Sequence, residues 1–130
     1  MTRTVIFALC VFLSLGCSRT LPAEVRADSA LHSQFDLRGS LQVSVKNIST
    51  KWEECRPFDI VASEYIVIVD ELGEARIEYR TKDNDIMLLV DLKKQSDKTH
   101  VAIYSFYKVF GWERAFRTLE HGAKNLPGCP

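Results

Sequence analysis

The chain has 130 residues, with 17 Lys and Arg against 17 Asp and Glu, so its formal net charge is zero. Its basic residues are scattered and form no patch, which argues against a nucleic-acid partner. The length suits one small domain.

Met1-Thr2-Arg3-Thr4 is followed by the apolar run Val5–Leu13 and then by Ser14-Leu15-Gly16-Cys17. One positive charge, a short apolar stretch and small residues before a cysteine are the layout of a bacterial export signal. The run is too short to cross about 30 Å of hydrocarbon, which takes roughly 20 apolar residues. It reads as a removed segment and not as an anchor. Leu13-Ser14-Leu15-Gly16-Cys17 resembles the lipobox of bacterial lipoproteins, with Ser14 standing where that family usually has a branched aliphatic residue. The resemblance implies cleavage after Gly16, lipid on Cys17 as the new N-terminus, and firm anchoring by several acyl chains. Ser18 after the cysteine implies delivery to the outer membrane, facing the periplasm. Ser14-Leu15-Gly16 also fits the small-x-small site of ordinary secretion. The organisation expected is a signal at 1–16, a lipid-anchored tether at 17–39 and one domain at 40–130.

Ser18–Gly39 is polar and has Pro22 near its start, so it reads as a spacer, with a weak helix possible over Ala23–Gln34. Leu41, Val43 and Val45 alternate with Gln42, Ser44 and Lys46, which predicts a half-buried strand. Thr50 and Glu53 fit a capping box for a short helix that ends by Arg56, ahead of Pro57. Four strand-like runs follow: Tyr65–Asp70, Ala75–Arg80, Ile86–Leu92 and Thr99–Val109, separated by turn signals at Leu72-Gly73, Lys82–Asp85 and Gln95–Lys98. Such short connections predict an antiparallel meander. Trp112, Ala115, Phe116 and Leu119 then mark one face of a helix, with Gly122 as its C-cap.

The fold class expected is α+β in the order β-α-β4-α, with the C-terminal helix packed on one sheet face. That element order resembles the TBP-like and helix-grip folds. The resemblance implies a curved antiparallel sheet wrapped around the last helix, and it carries no functional residues. Ala75, Ile77 and Tyr79 alternate with Arg76, Glu78 and Arg80, so one side of that strand is expected to meet water. The other strands are apolar on both sides: Ile66 and Ile68 oppose Tyr65, Val67 and Val69, and Tyr104 and Phe106 oppose Val101 and Ile103. One helix cannot cover two apolar faces. Either the first helix, the Phe58–Ala62 stretch or the tether packs on the second face, or that face takes a partner or an apolar ligand.

Cys10 leaves with the signal and Cys17 carries lipid, so Cys55 and Cys129 remain. In an oxidising compartment they are most simply a disulfide. His32, His100 and His121 are far apart in sequence and have no metal-ligand spacing. Asp83-Asn84-Asp85 lacks the glycine and closing glutamate of a calcium loop, and Glu53 and Glu54 are adjacent and point apart. No G-x-S-x-G or glycine-rich phosphate loop is present. No catalytic residue, metal or cofactor is therefore expected. The function expected is non-enzymatic binding at the envelope. A hydrophobic or lipid-like ligand would lie between sheet and helix against Trp112, Phe116, Tyr104 and Phe106; the alternative is docking of an envelope protein.

Replacing Cys17 with serine should move the protein from the membrane fraction to the soluble fraction of lysed cells. A Cys17→Ser variant that stays with the membranes would overturn the lipobox assignment.

Overall fold

The structure is a computed structural model and describes residues 21–26, 30–57, 61–105 and 112–130. The stretch 1–16 expected to be an export signal, Cys17 and Phe106 lie outside the described residues. In chain order the elements are α1 (Pro22–Val25), β1 (Leu31–Arg38), α2 (Leu41–Cys55), β2 (Ser63–Val69), a 3-10 turn (Asp70–Leu72), β3 (Glu74–Arg80), β4 (Ile86–Gln95), β5 (Lys98–Tyr104) and α3 (Trp112–Ala123). The strands form one antiparallel sheet in the order β1-β5-β4-β3-β2. The fold is thus α+β, with a meander from β2 to β5, a helix after β1 and a C-terminal helix packed over the sheet. Turn residues Gly73, Asn84 and Ser96 all take positive φ, as the tight connections require.

The N-terminal half departs from the sequence pattern. The alternation at Leu41, Val43 and Val45 suggests a strand, but this stretch is the first half of α2. The longer period wins: Leu41, Ser44, Val45, Ile48, Trp52 and Cys55 are buried along one helical stripe, whereas Val43 is exposed. Ser40 is the N-cap, its hydroxyl accepting from the Val43 amide at 3.2 Å, so Thr50 lies inside the helix and does not cap it. The helix ends at Cys55, as Pro57 dictates, with Arg56 in the left-handed region at φ 38°. The first strand falls instead at Leu31–Arg38, inside the stretch whose polarity suggests a tether. Of the possible Ala23–Gln34 helix, only Ala23–Val25 is α-helical among the described residues, as part of α1.

The main core lies between the sheet and the two long helices. It takes Val45, Ile48 and Trp52 from α2, Trp112, Phe116 and Leu119 from α3, and Ile77, Leu88, Val90, Val101 and Ile103 from the strands. Gly122 is not a cap, since α3 continues to Ala123. It is the point where α3 crosses α2: a Cβ there would sit 2.8 Å from the Ile48 Cα and 3.0 Å from the Asn47 carbonyl oxygen. A disulfide joins Cys55, at the end of α2, to Cys129 beyond α3, with the Cα atoms 5.6 Å apart. Closing a loop of 74 residues removes unfolded-state freedom equivalent to about 4 kcal/mol in the chain-entropy model.

Gly122→Ala sets helix propensity against this close approach. Alanine gains about 1 kcal/mol in a helix, while overpacking costs about 1–3 kcal/mol. Because two of the three opposing atoms are backbone and the third is Lys51 Cβ, which cannot swing away, we expect a net destabilisation of up to about 2 kcal/mol in chemical denaturation. An unchanged or raised midpoint would show that the helices can separate freely.

Candidate functional site

The residues expected to grip a ligand do not meet. Trp112 and Phe116 are buried in the core, packed edge to face with ring centroids 5.8 Å apart. Phe116 also stacks on His32, at 3.5 Å and nearly parallel. Ser33 Oγ donates to Glu120 Oε1 at 3.0 Å, so polar and aromatic contacts together tie β1 to α3. Tyr104 belongs to the opposite sheet face, where it packs with Val25, Ile86 and Leu89. That second cluster explains part of the surplus apolar surface: the short α1 covers it, with Val25 fully buried. Arg26 locks this strap down with two bonds to the Asp91 carboxylate, 2.7 and 2.8 Å. The bond to Asp91 raises the Arg26 pKa, against the opposing effect of partial burial.

The polar side of β3 does not meet water as its alternation suggests. Glu78 is only 4% exposed and Arg80 9%. Glu78 accepts from Arg80 at 2.6 Å and, through its other oxygen, from Arg76 at 3.4 Å. Arg80 also donates to the Asn84 carbonyl at 2.7 Å. Two guanidiniums thus neutralise one buried carboxylate, which is the arrangement a buried charge needs. Across β1 and β5, Asp36 and His100 pair at 2.8 Å. Among the described residues no group of three His, Cys, Asp or Glu side chains is placed to hold a metal ion, and no helix is long and apolar enough to cross a membrane.

The surface that remains open is β2. It is an edge strand, bonded to β3 on one side and to no other strand among the described residues. Its sequence from Tyr65 to Val69 is uncharged, β-branched and aromatic, with neither proline nor bulge. Tyr65 is 51% exposed on one face, and Ile66 and Ile68 are 43% and 40% exposed on the other. Leu72, in the turn beyond, is 64% exposed. The opposite edge, β1, is built differently: His32, Gln34, Asp36 and Arg38 alternate with its apolar residues, and a register shift breaks it between Leu31 and Ser33. Charges and bulges are what protect sheet edges from pairing; β1 has both, whereas β2 has no bulge and a single charge, Glu64, near its start.

Two depressions flank β2. One, of about 350 Å³, lies beside Val67 and Val69 on the α1 side. The charged groups around it are already matched, as Arg26–Asp91, Arg76–Glu78 and Lys93–Glu74. The other, of about 340 Å³, lies where the end of α2 meets the start of β2, between Trp52, Arg56, Val61 and Glu64. Trp52 there packs on Tyr79 with ring centroids 4.2 Å apart and planes tilted by 34°, and Ser49 Oγ donates to Glu64 Oε1 at 2.5 Å. The second Glu64 oxygen and the Tyr79 hydroxyl are both buried without a hydrogen bond among the described residues. Burial, and then the nearby Glu64 carboxylate, push the Tyr79 pKa well above the ordinary 10.0, although the two groups fall outside hydrogen-bond geometry.

The chemistry offered is therefore recognition: backbone donors and acceptors along a strand edge, with apolar side chains above and below it. The sequence signals this in the opposition of Ile66 and Ile68 to Tyr65, Val67 and Val69. It does not signal His32 as an aromatic partner, which depends on Phe116 far along the chain, or the burial of Glu78, which is imposed by the flanking strands that set Tyr65 and Leu89 beside it. Comparison of the chain with protein-family models, with curated proteins and with solved structures gives no match.

Tyr79→Phe tests the buried hydroxyl. Removing a hydroxyl that lacks a partner should leave stability at pH 7 equal, or higher by about 1 kcal/mol. Above pH 10 the unfolded phenol ionises while the folded one stays neutral, so the parent loses stability as pH rises, by up to about 1.4 kcal/mol per pH unit from this group. The variant should lose less over the same range. Identical alkaline slopes in urea denaturation would contradict this.

Proposed function

We propose that this protein is a non-enzymatic envelope lipoprotein whose domain is a docking module, with β2 as the contact edge. The observation that carries the reading is the exposure of Tyr65, Ile66 and Ile68 on both faces of an unprotected edge strand. Apolar surface of this kind marks interaction sites in soluble domains, and an open strand edge accepts another strand by main-chain pairing. The ligand reading has weaker support, because Trp112 and Phe116 belong to the closed core and Tyr104 to the far face.

Lipid on Cys17 would place this module close to the bilayer. Only Ser18–Leu21 separate Cys17 from α1, and five extended steps span at most about 17 Å. Much of the stretch that composition suggests as a spacer is folded, as α1 and β1. The domain would then sit on the membrane surface and not at the end of a long tether.

A photoreactive residue at Ile68, in the full chain in native membranes, should crosslink to protein and give a product of defined mass. The same residue at Arg117, on the exposed side of α3, should not. Ile68→Lys should leave the denaturation midpoint within about 0.5 kcal/mol, as for other surface changes, while Ile68→Lys combined with a probe at Tyr65 should abolish capture. Products with lipid alone, or none from β2, would overturn the docking reading.

A further inference from the structure

We infer that the depression of about 350 Å³ beside Val67 and Val69 binds a small apolar carboxylate, with Arg76 as the residue that takes its carboxylate group. The inference goes beyond the docking reading, since it rests on side-chain charge on one sheet face and not on the open backbone edge of β2. The volume is at the small end of ligand sites, so it suits a short-chain anion and not a folded partner.

The strand register builds the site in two rows. Val67, Arg76 and Asp91 lie side by side in one, and Val69, Glu74 and Lys93 in the next. Each charged group there has a contact, but the charges do not balance. Arg26 takes both oxygens of Asp91, at 2.7 and 2.8 Å. Lys93 stands 3.6 Å from Glu74. Arg80 holds one oxygen of Glu78 at 2.6 Å, and Arg76 reaches only the other oxygen of that same carboxylate, at 3.4 Å. Four cations thus share three carboxylates, and Arg76 is the cation without a carboxylate of its own. Its side chain is 38% exposed, and it makes no other hydrogen bond among the described residues.

A surplus of one positive charge fits a monoanion. The guanidinium fork matches the two oxygens of a carboxylate, and Lys93 adds a second cation from the next row. A phosphate dianion would bring one negative charge too many beside Glu74 and Asp91, where like charges repel. Val67 and Val69 give the depression an apolar wall, so the anion that fits carries a hydrocarbon chain. Each CH2 buried against that wall raises affinity by up to about fourfold.

Titration of the purified full-length chain with octanoate, followed by calorimetry and by backbone amide shifts, tests this. Octanoate should bind saturably and shift the amides of Val67, Val69, Arg76 and Lys93. Octanol, which lacks the charge, and octyl phosphate, which has a second one, should each bind about tenfold more weakly or worse. Arg76→Gln leaves Arg80 on Glu78 and should weaken octanoate by about tenfold, as expected for the loss of a hydrogen bond between charged groups. Lys93→Gln changes an exposed side chain, so it should keep the denaturation midpoint while still weakening octanoate, which separates loss of the site from loss of the fold. Octanol binding as tightly as octanoate would mark an apolar surface only, and acetate doing so an adventitious ion only. Either result overturns the assignment. So do tighter binding of octyl phosphate, unchanged binding in Arg76→Gln, and no saturable binding at all. Capture at Ile68 is decided separately, so the docking reading can stand where this one falls.

Discussion

A sheet has two faces, and every apolar side chain on both must find cover. Two of the described helices are long, and they lie on the same face. They can do so because Gly122 lets the α3 backbone come against Ile48 and Asn47 of α2. With the helices so close, Trp52, Trp112, Phe116 and Leu119 pack together above β3, β4 and β5 as one core. The disulfide from Cys55 to Cys129 fastens the far ends of the same pair. The edge strand β2 lies at the margin of this cover, and the exposure of Ile66 and Ile68 follows from that position.

The second face is handled by smaller means. Four residues of α1 put Val25 over Ile86 and Leu89, and Arg26 fixes them by its paired bonds to Asp91. Where no apolar cover reaches, Arg76 and Arg80 neutralise Glu78. The result is a face that is apolar at one end and ionically closed in the middle. Tyr65, Val67 and Val69 form its margin. Both faces therefore fail to cover the same strand, and that coincidence makes β2 the most economical place for a partner.

Much of this was legible in the sequence, and the failures have physical causes. The meander from Tyr65 to Tyr104 was readable because β-branched runs alternate with turn residues. The α3 face was readable from Trp112, Ala115, Phe116 and Leu119, and the disulfide from the two cysteines left for an oxidising compartment. The β1 strand was hidden because an edge strand buries only half its side chains, so His32, Gln34, Asp36 and Arg38 gave the segment the look of a spacer. The start of α2 was misread because Leu41, Val43 and Val45 satisfy a period of two by accident, while Val43 faces solvent. Glu78 reads as a solvent residue because its side of β3 alternates as charged, and its burial comes from the neighbouring strands, which set Tyr65 and Leu89 beside it. A groove against Trp112, Phe116, Tyr104 and Phe106 requires all four on the helix side of the sheet, and alternation alone does not say which face a strand turns to the helices; Tyr104 lies on the far face, and Phe106 falls outside the described residues.

The central claim is that β2 is an open edge completed by association. Backbone amide hydrogen exchange, followed strand by strand in the purified protein and in the protein held in its native membrane, tests it most directly. Amides of Ser63–Val69 should be more protected in the membrane, while those of β1, Leu31–Arg38, keep the same rates. Exchange in β2 that is the same in both, or protection that grows equally in β1, would contradict the account.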